Sequence, residues 1–288
     1  EPKREDIIKR DTLLNPLNYK DTWIITNPPY LARNKSKCKD IFNLYNTNDL
    51  YKCFIKTLTQ NEKCLGGIII IPAGFFFSSR DIDNNCRNEF MSNYKIIQIK
   101  YFEEKVFNDT NTTVVAILFE LSDKLLVEQD VKWIMMPSKE ERIFNMSYSN
   151  NWIIGGDIYK IYSSKSIKVS RYVSGMILKD NEYQTFMTLN ALDSGKKNNR
   201  IALKYQKDYI YPAKDCSRTY ATLVISGTNL NEQQQIDICN KFNNFIETKR
   251  QEYYSLFLPQ FRESKEYARK RIPFELAYKI ISNIIENL

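Results

Sequence analysis

The stretch Thr22-Trp23-Ile24-Ile25-Thr26-Asn27-Pro28-Pro29-Tyr30 decides how the chain is read. Residues 23–26 are β-branched or aromatic and predict a short buried strand, and the two prolines stop any ladder or helix from running on. Proline fixes φ and has no N–H, so Pro28 and Pro29 make a stiff corner whose carbonyls stay available as acceptors. A side-chain amide, Asn27, stands before that corner and an aromatic ring, Tyr30, after it. A planar group bearing an exocyclic amine fits there. Its amine donates to the Asn27 oxygen and the Pro28 carbonyl while Tyr30 covers the ring face, the grip needed on a base turned out of a duplex.

The rest of the composition narrows the chemistry. A chain of 288 residues can hold two domains. With 42 Lys and Arg against 34 Asp and Glu, a formal charge of +8 and a pI near 9.0 favour a polyanionic partner such as nucleic acid. A Lys- and Asn-rich product of an AT-rich genome would show the same excess. There is no histidine, which excludes imidazole bases, Ser-His and Cys-His pairs and His metal sites. Cys38, Cys53, Cys64, Cys86, Cys216 and Cys239 form no C-x-x-C pair, so they read as reduced thiols and suggest neither a metal cluster nor a disulfide framework. No apolar run reaches the ~18 residues of a membrane span and no signal-peptide pattern is present, so a soluble cytoplasmic protein is expected.

Around the opening stretch, residues 6–14 predict a short strand and the loop leaving it, with Asp11 at its end. Residues 31–39 are polar and basic, with Arg33 and Lys35 placed to touch phosphate from a mobile loop. Leu50, Phe54, Ile55 and Leu58 recur at helical spacing behind Asp49 at a capping position. Gly66-Gly67 opens the run Ile68-Ile69-Ile70-Ile71, which predicts a strand buried on both faces of a parallel sheet. Residues 82–93 read as a helix, 95–102 as a strand, and 112–121 as a strand entered by a turn.

An Asn-Pro-Pro-Tyr turn after an apolar strand, followed by Asp49-Leu50-Tyr51-Lys52-Cys53-Phe54-Ile55, resembles the amino-methyltransferases that use S-adenosylmethionine, above all the N6-adenine DNA methyltransferases of restriction-modification systems. The resemblance implies an α/β fold: the second half of a Rossmann-like methyltransferase sheet over residues 1–121, a linker at 122–132, and an α+β target-recognition domain over 133–288. It implies double-stranded DNA as partner and S-adenosylmethionine as cofactor, with no metal. It also implies roles. Asn27, Pro28, Pro29 and Tyr30 are the catalytic turn, and Tyr30 and Phe107 stack on the flipped base. Asp11, Asn27 and Phe54 border the cofactor; Phe54 serves equally well as a core residue. The first half of such a sheet carries a glycine-rich cofactor loop, and no G-x-G occurs in this sequence. A further segment upstream of Glu1, on this or another chain, is therefore expected.

Beyond residue 121 the texture becomes a mosaic of short apolar runs among polar loops, with helices expected over 232–250 and 273–285. Lys196, Lys197, Arg200, Arg262 and Lys265, with Tyr253, Tyr254 and Tyr267 interleaved, supply the side chains that phosphate and base contacts need. Other readings stay open: a DNA-binding fragment or subunit of a split methyltransferase, a protein-glutamine methyltransferase, and cytosine N4 as acceptor.

Overall fold

The structure, a computed structural model, describes residues 8–110, 112–193, 200–254, 256–261 and 269–288. The chain divides into two compact units, Glu1–Val106 with Thr112–Ile153, and Phe107–Asn111 with Ile154–Leu288. Both mix helices and sheets.

The first unit runs β1 (Trp23–Thr26), α1 (Asp40–Leu44), α2 (Leu50–Gln60), β2 (Gly66–Pro72), α3 (Asp81–Asn93), β3 (Tyr94–Phe102), β4 (Val114–Leu121), β5 (Glu128–Met136) and β6 (Glu140–Ser147). Its six strands lie in the order β1-β2-β4-β3-β5-β6. β1 and β2 are parallel and joined by a helical crossover, as parallel strands require. β4 enters between β2 and β3, antiparallel to both. The two leading strands approach closely at Gly67, where an added Cβ would stand 2.2 Å from the Ile24 carbonyl oxygen.

One face of this sheet carries the core. Ile69, Ile71, Ile99, Tyr101, Ile117, Phe119 and Trp133 are fully buried there, beneath a ring cluster in which Phe90 of α3 meets Tyr94 and Phe119 at 5.1 and 5.2 Å. Phe76, in the 3-10 turn after β2, meets Trp133 at 5.6 Å. The other face is open. Ile25, Ile68, Leu118, Gln98, Lys132 and Ile143 form one row across all six strands, and Ile25 is 86%, Ile143 71% and Ile68 39% exposed.

Three sequence expectations change. Residues 8–14 form no strand: Asp11 Oδ1 accepts the amides of Leu13 and Leu14 at 2.9 and 3.1 Å, a local turn that competes with any ladder. β2 is buried on one face only, because no helix among the described residues covers Ile68. β5 and β6 continue the first sheet through 128–147, so the first compact unit extends to Ile153, past the stretch whose polar texture reads as a linker.

The second unit contains β7 (Lys168–Arg171), β8 (Glu182–Asn190), β9 (Leu192–Asp193), β10 (Ala202–Tyr205), β11 (Tyr220–Ser226), α4 (Glu232–Tyr253), β12 (Gln260–Phe261), β13 (Arg269–Arg271) and α5 (Phe274–Glu286). The antiparallel sheet β10-β8-β11-β7 packs Leu189, Leu203, Leu223 and Ile225 against Ile238, Phe242 and Ile246 of α4 and Ile280 and Ile281 of α5. α4 starts where a capping box sets it: Asn231 accepts from the Gln234 amide, and the Gln234 side chain accepts from Asn231 in return. Among the described residues no helix is long and apolar enough to cross a membrane.

Candidate active site

β1 ends at the carboxyl edge of the parallel pair β1 and β2, the edge at which open α/β sheets hold their ligands. Asn27, Pro28, Pro29 and Tyr30 leave the sheet there. Pro28 is buried and anchors the corner, Asn27 and Pro29 are exposed, and Tyr30 is half-buried. The Tyr30 hydroxyl lies 2.5 Å from Asn27 Oδ1 and 2.9 Å from the Ile70 carbonyl oxygen of β2. Burial holds this phenol well above the usual tyrosine range, so it stays a donor. With one proton for two acceptors, donation to Ile70 releases the Asn27 oxygen to a donor from outside.

Helix α2 supports the corner from behind. Tyr51 is buried and meets the Tyr30 ring edge-on, centroids 6.3 Å apart, and it meets Phe75 in the same way at 6.4 Å. Leu31, next after Tyr30, gives its N–H to Asp49 Oδ1 at 3.2 Å. The α2 lysine Lys52 is buried against Asp83 of α3, and it also donates to Asn48 Oδ1 at 2.7 Å. Ser78 and Arg80 complete the ring of donors around Asp83. Burial by itself would raise the Asp83 carboxyl, but the Lys52 charge and these donors outweigh it and hold the group below the usual range. Arg87, fully buried, donates to the carbonyls of Phe75 and Ser78 and fixes the turn at the end of β2, its own basicity lowered by burial to about 10.

The structure brings Asp11 and Phe54 to this same helix. Leu13, in the Asp11 turn, packs on the cluster Phe42, Tyr45 and Cys53, and the Tyr45 hydroxyl donates to the Leu13 carbonyl at 2.6 Å. Asp11 is exposed, and both of its side-chain bonds, to the Leu13 and Leu14 amides, fall on Oδ1. Phe54, half-buried, touches the Tyr19 ring edge-on at 6.5 Å.

The basic candidates divide. Arg33 and Lys35 lie on a 3-10 turn just past the corner, Arg33 half-buried and Lys35 exposed, and Lys39 ties that turn down by donating to the Arg33 and Ser36 carbonyls. Arg200, in the second unit, is paired with Glu247 at 3.5 Å. Phe107 is half-buried and belongs to the second unit. Lys196, Lys197, Arg262 and Lys265 lie outside the described residues.

With the corner, its supporting helix and the Asp11 turn assembled on one edge, comparison with known proteins bears on that same stretch. Residues 20–107 match the Eco57I restriction-modification methylase family. The match runs from just before β1 to just past β3 and contains Asn27, Tyr30, Asp49 and Phe54. Among solved structures, a modification subunit of a putative type I restriction enzyme from Vibrio vulnificus YJ016 is 18% identical with a TM-score of 0.34, over 44% of this chain and 28% of that one. The type I restriction enzyme EcoKI M protein is 15% identical with a TM-score of 0.35, over 45% of this chain and 29% of that one. The type IIG restriction endonuclease BpuSI is 10% identical with a TM-score of 0.37, over 60% of this chain and 27% of that one. The matched parts are thus under a third of each of those proteins.

Sequence reasoning missed Tyr51 and the Lys52–Asp83 pair. Periodicity marks both Tyr51 and Lys52 as ordinary helix positions, and only the packing of α2 on α3 shows what they hold. Asp49 stands at the N-cap of α2, the capping position expected from the sequence, and its Oδ1 also accepts the Leu31 N–H, which periodicity does not show.

Proposed function

We propose that the chain transfers a methyl group from S-adenosylmethionine to N6 of an adenine extruded from double-stranded DNA, within a restriction-modification system. The observation that carries this is the Asn27-Pro28-Pro29-Tyr30 corner at the carboxyl end of a parallel strand, inside the stretch that matches a restriction-modification methylase family. The adenine amine donates to Asn27 Oδ1 and to the Pro28 carbonyl. With its hydrogens held by these two acceptors, the nitrogen lone pair is turned toward the incoming methyl group, and no histidine is required. Tyr30 covers the base. Bound S-adenosylmethionine supplies an electrophilic methyl group. Asp11 and Phe54 hold its purine end. Arg33 and Lys35 beside the corner, and Lys196, Lys197, Arg200, Arg262 and Lys265 in the second unit, are the phosphate and base contacts of a target-recognition domain. The direct test is incubation of the enzyme with tritiated S-adenosylmethionine and duplex DNA, followed by nucleoside digestion. Label in N6-methyladenine is expected; label in N4-methylcytosine or in protein glutamine would replace this reading.

Among the described residues β1 is an edge strand and the row through Ile25 and Ile68 is uncovered, and both support a further part of the proposal. The methionine end of the cofactor needs backbone N–H groups from a glycine-rich turn, and these 288 residues contain no G-x-G. A segment carrying that turn, on this or another chain, would pair with β1 and cover the row, which as a bare apolar edge invites aggregation. In calorimetric titration, residues 1–288 alone should therefore bind S-adenosylmethionine weakly or not at all, and adding the complementary segment should restore binding. Micromolar binding by the isolated chain would overturn this.

Tyr30→Ala should weaken the hold on the extruded base by ~1–3 kcal/mol, the scale of base-aromatic stacking. A duplex with 2-aminopurine at the target position reports extrusion by its fluorescence. Equal signals from wild type and Tyr30→Ala would count against stacking by this ring.

A further inference from the structure

Helix α2 begins at a carboxylate that also serves another segment. Asp49 is its N-cap, with extended backbone, φ −152° and ψ 146°, and its carboxylate faces the amides of Leu50 and Tyr51 in the first turn. Oδ1 also accepts the Leu31 N–H, at 3.2 Å. The Leu50 N–H answers with a bond to the Leu31 carbonyl at 3.1 Å, and the Arg33 N–H donates to the Asn48 carbonyl at 2.9 Å. Ala32 bridges Asp49 in antiparallel fashion. Two positions past Asp49, Tyr51 sets its ring edge against Tyr30. The helix start therefore grips the corner twice, at the Tyr30 ring and at the amide that follows it. Burial, the largest influence, raises the Asp49 carboxyl above the usual range, the mark of a group withdrawn from water and dependent on its bonds.

We propose that Asp49 is a positioning residue for the methyl transfer: by holding the Leu31 amide it fixes Tyr30 where the extruded base must stack. This role rests on the function proposed above. A carboxylate serving only helix stability would bond within α2 alone, whereas this one also holds the Leu31 amide of the segment that carries the motif.

Serine separates the two uses, because it is a favoured cap but one bond too short to reach Leu31. Asparagine keeps an acceptor at the same reach. In the complete, cofactor-competent enzyme, Asp49→Ser should fold with a thermal midpoint close to wild type yet lose about tenfold or more in kcat with little change in the KM for DNA. Asp49→Asn should stay within about threefold of wild type in kcat, on the same positional argument. In a Tyr30→Ala background, Asp49→Ser should cost almost nothing further, since the two act through one ring. Should Asp49→Ser not accumulate as folded protein, Asp49→Thr, also a good cap, takes its place. Wild-type turnover by the serine variant, or simple additivity with Tyr30→Ala, would overturn the role while leaving the function standing. Absence of transfer by the wild-type enzyme would overturn the function and this role with it.

Discussion

Asn27→Ala should reduce methyl transfer to a few per cent of wild-type turnover or less, while affinity for the duplex changes by less than about twofold. The asymmetry follows from where Asn27 stands. Its amide is exposed at the end of β1, and its Oδ1 has the Tyr30 hydroxyl as neighbour at 2.5 Å. Removing it leaves the Pro28 carbonyl, the Tyr30 ring and every basic side chain in place, so under the proposed function DNA is still bound and the base still covered. What is lost in that scheme is one of two acceptors that orient the amine. A thirtyfold fall in rate corresponds to about 2 kcal/mol of transition-state stabilisation, the scale of one bond made to a group whose charge is developing. Tritium incorporation and duplex binding measured on one preparation check both halves. Turnover near wild type would remove Asn27 from the chemistry, and a parallel collapse of DNA affinity would show that the substitution had damaged the fold.

The largest effect on stability is expected at Asp83→Ala, about 3–5 kcal/mol, because it leaves the Lys52 ammonium buried without its counter-ion. The Lys52 and Asp83 side chains are 3% and 1% exposed, so solvent screening does not soften the loss. The double variant Lys52→Met with Asp83→Leu should recover most of it, since two apolar side chains carry no charge to strand. Urea unfolding of the three proteins tests this, read as a shift in midpoint at constant slope. The pair also sets an acid limit. The Asp83 carboxyl titrates lower in the folded chain than in the unfolded one, so its contribution is complete above the unfolded value of about 4 and is lost as pH falls through the lowered folded value. Equal stability of Asp83→Ala and wild type at pH 7 would show that the pair contributes nothing.

The elements that announce themselves in the sequence are those whose local chemistry and tertiary role agree. The β-branched residues of β1, β2 and β4, the long α4 and the amphipathic α2 and α5 were all legible, because each pairs a strong period with clear end signals. Residues 8–14 were misread for want of a neighbour: apolar residues propose a strand, but Ile8 is 80% exposed and Asp11 bonds locally. The polar stretch before β5 hid a strand because only one side of β5 is buried, so Glu128 and Asp130 face solvent. Of the candidate site, the corner could be read because proline and asparagine do their work locally. Its support could not, since Asp49, Tyr51 and the Lys52–Asp83 pair act across gaps in sequence that no periodicity records.

The insertion of β4 between β2 and β3 also dictates an order of assembly during synthesis. β2 and β3 never touch each other, and bonded neighbours sit about 4.8 Å apart, so until residue 121 has been made they flank a gap one strand wide. A nascent chain that has exposed β1, β2 and β3 holds a two-stranded fragment and an orphan, with Ile71 and Ile99 still facing water. Closure of the gap by β4 joins them in one event, and β5 can then extend the far side through its pairing with β3. A pause in translation before residue 121 would prolong the interval in which those edges are open, and it is at that point, rather than at the Asn27–Tyr30 corner, that a slow ribosome or a chaperone would govern the yield of folded protein.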